Sequence, residues 1–270
     1  MTGTFLEKIL ASTRARVQKL KDSPEAHSIG ERALRYRATA TSHAFRAAFA
    51  DRQPLNIIAE IKRASPSKGD INTRRGAAAT AVAYRSGGAS AISVLTEPEF
   101  FKGSLEDLKA VRRVTSLPIL RKDFIVDEIQ IVEAAAAGAD AVLLIVAALS
   151  AEELRKFHRQ AAEFTMDALV EVHDAAELQT ALELGFELIG VNNRSLHSFN
   201  VTLETSRELI RSKPESAIMI SESGIRTRVE MDELKGLGFD GFLIGETLMR
   251  QDDPEVELKK WLQAAPLPVR

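Results

Sequence analysis

The chain of 270 residues contains no cysteine. That excludes disulfides, thiolate metal sites, iron–sulfur clusters and a cysteine nucleophile. Aromatic residues are scarce at 6%, with a single tryptophan. There is no excess of charge of one sign, because 36 Lys and Arg stand against 38 Asp and Glu. Domains that hold nucleic acid by bulk charge are usually strongly basic, so no nucleic-acid partner is expected. Long apolar runs are missing too. The longest, Ala141 to Leu149, is far short of the ~20 residues that span a bilayer, so no membrane partner is expected. The N-terminus, MTGTFLEKILASTRARVQKLKD, scatters charges among its apolar residues and has no signal-peptide core. It reads as an amphipathic helix, and the cytoplasm is the default compartment.

What is present is a repeated pattern. Residues 1 to about 50 read as helical, with Phe5, Ile9, Val17 and Leu20 near helical spacing. From Leu55 onward, short apolar runs alternate with longer amphipathic stretches. The runs are 55–62, 90–96, 117–123, 140–146, 168–172, 188–192, 217–223 and 241–245. Most are rich in Val, Ile or Leu, as strands buried on both faces should be. Stretches of helical pattern lie between them, at 104–114, 127–137, 150–164, 174–184, 202–212 and 226–236. Gly88, Gly138, Gly185 and Gly238 recur just before strands, where a helix ends in the left-handed conformation. Repeated βα units require a parallel sheet with right-handed crossovers. Eight of them suggest an α/β fold, a (β/α)8 TIM barrel with an N-terminal helical extension. The expected division is 1–50 for the extension, packed on the barrel, and 51–270 for the barrel. An open doubly wound sheet is the rival, but no Gly-x-Gly-x-x-Gly follows the first strand.

In a barrel the chemistry sits where strands end. Glu60 and Lys62, two apart, share a strand face at the end of the first. The third ends in Lys122, the fifth contains Glu171, the sixth ends in Asn192 with Arg194 beyond, and the seventh carries Glu222 and Ser223. Any one charge after an apolar run equally marks a strand reaching water. As a set they balance, three cations against three carboxylates, which lowers the cost of gathering them in one partly dry mouth. Gly224 and Gly245 follow the last two strands, where many such barrels hold phosphate on backbone N–H groups. Two helix-entry turns would look the same. Glu246 next to Gly245 must then turn its carboxylate away. The loop RASPSKGDIN offers Ser65 and Lys68 to an anion and is a candidate lid. Phe100, Phe101 and Phe124 suggest an apolar wall for a flat ring, with core packing the alternative for Phe100. His173 and His197 have no second ligand at metal spacing, so no metal is expected.

IIAEIKRASPSKGDI, ISVLTEPEFFKGS, LPILRKDFIVDE, ADAVLLIVAAL, ALVEVHD, IGVNNRSL, ISESGI and GFLIGETLM resemble indole-3-glycerol phosphate synthase in order and spacing. The resemblance runs from about Leu55 to Arg250 and extends more loosely to the N-terminal helices. It implies conversion of 1-(2-carboxyphenylamino)-1-deoxyribulose 5-phosphate to indole-3-glycerol phosphate, with release of carbon dioxide and water, in tryptophan biosynthesis. No cofactor and no metal are implied. By resemblance, Lys122 is the general acid toward the substrate carbonyl, and Glu171 an acid/base for loss of the hydroxyl. Lys62, beside Glu60, contacts the substrate's anionic groups or serves as a second acid. Asn192, Arg194, Glu222 and Ser223 orient substrate and catalytic groups. Ser65, Gly224 and Gly245 contact phosphate, and Phe101 and Phe124 wall the aromatic pocket. Ile129 and Ser195 depart from the family pattern and are expected to flank the site. A fused second barrel, as occurs in some relatives, is not expected. The resemblance favours a monomer; transient contact of the N-terminal helices with neighbouring pathway enzymes stays open. A Schiff-base aldolase using either lysine and a non-catalytic phosphate-ligand binder are the competing functions.

Overall fold

The structure, a computed structural model, describes residues 4–49, 55–196 and 198–263. The expected boundary at residue 50 and His197 lie outside them. Helices α1 (Phe5–Lys21), α2 (Ala26–Arg37) and α3 (Ala44–Ala47) come first. Eight parallel strands then form one closed barrel: β1 (Ile57–Ile61), β2 (Ala91–Leu95), β3 (Ile119–Lys122), β4 (Ala141–Ile145), β5 (Asp167–Val172), β6 (Leu188–Asn192), β7 (Ile218–Glu222) and β8 (Gly241–Ile244). The connecting helices are α4 (Ala77–Gly87), α5 (Leu105–Arg112), α6 (Glu128–Ala137), α7 (Ala151–Glu163), α8 (Ala175–Glu183), α9 (Glu204–Leu209) and α10 (Arg228–Leu237). Helices α11 (Glu246–Met249) and α12 (Pro254–Gln263) follow β8. All eight expected strands form, and the rival open sheet is excluded by closure: Ile58 pairs with Leu243 of β8 on one side and Ala91 of β2 on the other.

Strand alternation explains why these runs are apolar throughout. Ile58, Leu120, Leu143, Leu169, Ile220 and Leu243 pack against one another inside the barrel. Their neighbours Ile57, Ile119, Val142, Val170, Met219 and Phe242 join the layer between strands and helices. Successive side chains point to opposite faces, and here both faces are dry. The expected left-handed glycines are all found, at φ 92° for Gly88, 91° for Gly138, 76° for Gly185 and 118° for Gly238.

The N-terminal helices close both ends of the barrel. At the N-terminal end of the strands, Phe45 and Phe49 join the inner cluster. Asp167, the first residue of β5, anchors them by accepting from the Arg46 backbone N–H at 2.8 Å. At the other end lies α1, started by a capping box between Thr4 and Glu7. Its Ile9 and Leu10 also reach the inner cluster. Arg16 pins this helix, with Nη2 donating to Asp123 Oδ1 at 3.0 Å. Buried Arg37 of α2 donates to the carbonyls of Phe164 and Ala139 and to Asp140 Oδ1.

Candidate active site

The C-terminal ends of the strands surround a cavity of about 680 Å³. Glu60, Lys62, Ser65, Phe101, Lys122, Phe124, Glu171, Asn192, Arg194, Ser223, Gly224 and Gly245 all line it. Glu222 lies just beneath, bonded to Lys122. The residues the sequence singled out are therefore neighbours in space, though they span most of the chain.

The centre is Lys122. In the segment Arg121–Lys122–Asp123 alternation sends the middle side chain inward and the flanking two elsewhere. Lys122 Nζ lies 2.6 Å from Glu222 Oε2 and 3.0 Å from Glu171 Oε2. Arg121 and Asp123 pair with each other at 3.0 Å, and Thr96 donates to Asp123 at 2.7 Å. This buried network fixes the strand end from which Lys122 projects. At the end of β1, Lys62 Nζ meets Glu60 Oε1 at 2.6 Å.

Electrostatics separates the two carboxylates that share Lys122. Burial alone would raise Glu171, but Lys122 and His173 outweigh it and hold its carboxyl well below the usual range. Burial pushes Glu222 up to about 7 against the pull of Lys122, with Glu171 and Glu60 adding to the rise. Its second oxygen, Oε1, is buried and has no hydrogen-bond partner among the described residues, so none of them favours the anion on that side. Burial disfavours the Lys122 ammonium, yet Glu171, Glu222 and Glu60 together raise its pKa well above the ordinary value.

These shifts have a measurable consequence. A glutamate titrates near ~4.3 when unfolded, whereas Glu222 stays protonated in the folded chain up to about 7. The unfolded state therefore binds fewer protons between those limits, and Glu222's contribution to stability is lost as pH rises through them. Glu222→Gln, which cannot ionise, should become more stable relative to the parent between pH 4.5 and 7.5. Urea melts at the two pH values check this, and a constant difference would contradict it.

Around this centre the loops place the remaining groups. Glu97 accepts from the backbone N–H groups of Phe100 and Phe101 at 2.7 and 3.1 Å. That fixes the loop presenting Phe101, whose ring centroid is 6.2 Å from that of Phe124. Phe100 instead meets Phe5 edge-on at 5.2 Å beneath α1, the packing alternative. The loop after β1 folds on itself through a short antiparallel ladder of Ala64–Ser65 with Gly69–Asp70. Ser65 Oγ is buried and has no hydrogen-bond partner among the described residues. Arg194 donates to Ser67 in the same loop at 3.0 Å, a tie absent from the sequence reading. Ser223 and Gly224 are both left-handed, at φ 67° and 82°. Left-handed backbone at a non-glycine residue is strain that concentrates at functional sites. Buried Asn193 supports it, donating through Nδ2 to the carbonyls of Glu222 and Ser223 at 3.0 and 3.1 Å. Glu246 pairs with Arg250 at 3.1 Å, along α11.

Neither Ile129 nor Ser195 itself lines the cavity; Ser195 stands between Arg194 and Leu196, which do, and Ile129 lies in the first turn of α6, its N–H capped by Asp127. The sequence reading also missed lining residues: Phe5, Leu6 and Ile9 of α1, Leu143 and Ile145 of β4, and Arg226, Thr247 and Arg250 near β7 and β8. Helical spacing identified α1's apolar stripe, but no local signal said that this stripe roofs the mouth.

Residues 6–261 match the family profile described as "Indole-3-glycerol phosphate synthase". The chain is 43% identical over 257 residues to the indole-3-glycerol phosphate synthase of Sulfurimonas denitrificans, covering 95% of this chain and 97% of that one. It is 46% identical over 249 residues to that of Chloroherpeton thalassium, covering 92% and 96%. A multifunctional tryptophan biosynthesis protein of Schizosaccharomyces pombe shares 51% over 203 residues, which are 73% of this chain and 27% of that one. Among solved structures, 3-hexulose-6-phosphate synthase from Salmonella typhimurium aligns with a TM-score of 0.62 at 15% identity, covering 77% of this chain and 97% of that one. At that identity the match shows the fold alone.

Proposed function

The chain belongs to the indole-3-glycerol phosphate synthase family, and from that premise we propose how its barrel mouth performs the family's reaction. The activity is that of a carboxy-lyase in tryptophan biosynthesis. The phosphorylated carboxyphenylamino ketose closes to an indole, losing carbon dioxide and water. The observation that supports our assignment most is the Lys122 ammonium, caught between Glu171 and Glu222 on the wall of the cavity.

Attack of the ring carbon on the ketose carbonyl develops an alkoxide. Lys122 donates its proton to that oxygen. An ammonium with a raised pKa is still a stronger acid than an alcohol, so transfer runs downhill as the alkoxide forms. As the hydroxyl departs it takes a proton from Lys62 and leaves as water, while Glu171, held ionised, accepts the proton lost as the indole forms. Lys62, oriented by Glu60, meets the substrate's anionic groups. The Ser65 hydroxyl and the backbone N–H groups of Gly224 and Gly245 hold the phosphate. That end of the substrate does not react, so its binding supplies orientation. Phe101 and Phe124 flank the aromatic ring, and the aliphatic floor helps keep water from the cationic intermediate before decarboxylation. Asn192, Arg194, Glu222 and Ser223 orient these groups. The proposal extends to a monomer acting in the cytoplasm, with residues 1–50 as the extension and 51–270 as the catalytic barrel. Among the described residues, no helix is long and apolar enough to cross a membrane.

Incubation with the carboxyphenylamino ketose phosphate tests the reading directly. Indole fluorescence should appear with release of carbon dioxide, and borohydride should trap no covalent adduct. Silence from folded protein would favour a phosphate-ligand binder, and a trapped adduct a Schiff-base aldolase.

A further inference from the structure

One buried histidine is unused by the reaction as assigned above. His173 stands just past the end of β5, two residues beyond Glu171, so both side chains project to the same side of the strand. Its side chain is only 9% exposed and lies between two carboxylates. Nε2 is 3.2 Å from Glu171 Oε1, and Nδ1 is 3.0 Å from Glu177 Oε2. The same Glu177 oxygen also accepts the His173 backbone N–H at 2.8 Å. Glu177 is itself held in the first turn of α8, where its backbone N–H donates to Asp174 at 2.9 Å.

The consequence for Glu171 is geometric. One of its oxygens faces Lys122 at 3.0 Å, and the other faces His173 at 3.2 Å. A carboxylate held by one partner can turn about its last bond. Paired at both oxygens with groups on different elements, it is restrained in orientation, although Nε2 meets Oε1 at ion-pair distance and not as an aligned hydrogen bond. We infer that His173 is a positioning residue for Glu171, clamping its Oε1 so that Oε2 faces Lys122 and the substrate. The inference rests on the role given to Glu171 above.

The imidazole must carry both ring protons to serve. With one, a nitrogen lone pair would face a carboxylate lone pair. The charged groups facing it are Glu171 from β5 and Glu177 from α8; Lys122 of β3 and Glu222 of β7 lie beyond Glu171. Burial alone would lower the His173 pKa, but the two carboxylates raise it to about 10. Near neutral pH the clamp is therefore a cation, which also keeps Glu171 ionised.

Two measurements test this. Nitrogen-15 NMR of the unaltered chain should show both His173 ring nitrogens protonated from pH 6 to 8.5. A ring that loses a proton near pH 6.5 overturns the clamp whether or not the chain is active. Kinetically, His173→Ala should lower kcat by roughly 10- to 100-fold, part of what an acid–base group contributes, with KM changed less than about threefold. Its acidic limb of kcat should move to higher pH, because Glu171 has lost one of its two cations. His173→Gln, which keeps an N–H of similar reach but no charge, should recover only part of kcat and leave the acidic limb at the higher pH. A lower melting temperature in His173→Ala, with kcat and the acidic limb unmoved, would assign the residue to structure alone and reject the inference. If the parent forms no indole product, the reaction assignment fails by itself, and the NMR result still decides the clamp.

Discussion

Lys122→Ala is expected to lower kcat by about 10²- to 10⁴-fold, the contribution of a positioned general acid. Affinity for a non-reacting substrate analogue should change less than about tenfold, as when a contact made in the transition state is lost. Steady-state kinetics and a separate binding titration read the two effects. The substitution also removes the cation between Glu171 and Glu222, whose oxygens each lie within 3.0 Å of Nζ. Two carboxylates so placed cannot both remain ionised cheaply, so Glu222 should hold its proton to still higher pH. That is a structural side effect, and Lys122→Arg controls for it. A guanidinium restores the charge but does not release a proton in the working range. It should recover stability and leave turnover low. Near-normal turnover in either variant would remove Lys122 from the chemistry.

The second large effect comes from a residue with no side chain. Gly190 lies in β6 beneath the carboxylate of Glu222. A Cβ added there would stand 2.1 Å from Glu222 Oε1. Since Glu222 is held by Lys122 and is 1% exposed, it cannot move aside without breaking the 2.6 Å contact. Gly190→Ala should therefore displace both groups and lower kcat by about 10²-fold, the cost of a misplacement near 1 Å. In a Glu222→Ala background the new methyl group meets no carboxylate, so it should add little further loss. That failure of additivity is the signature of a direct contact. Additive losses in the double variant would place the effect of Gly190 elsewhere. Gly245 has the same relation to Glu60, whose Oε1 lies 2.2 Å from the corresponding position. The glycine that the sequence offered as a phosphate contact also makes room for a carboxylate.

The barrel was legible because its signals are local and repeated. Apolar runs of strand length, helical stretches between them and left-handed glycines at the junctions need no knowledge of distant residues. The strand-end chemistry was legible for a related reason: strand ends point to one mouth in any such barrel, so Lys62, Lys122, Glu171 and Asn192 could be gathered without coordinates. Other features carried no such mark. Nothing near Arg16 shows that it reaches Asp123, 107 positions away. Gly190 reads as one glycine among several until Glu222 is seen above it. His173 was read only for what it does not do, lacking a metal-ligand partner, because its two carboxylate neighbours matter through distance and orientation.

The amino-acid order by itself determined the eightfold alternation, the burial of both strand faces and the types of charge at the mouth, since periodicity and composition act over a few residues. Only the tertiary structure decided which carboxylate faces which cation, that α1 roofs the cavity while α3 plugs the opposite end, and that Glu222 and Glu171 diverge in acidity though both touch Lys122. Those outcomes depend on burial and on separations of a few ångströms between parts of the chain far apart in sequence, quantities that exist only after the barrel has closed.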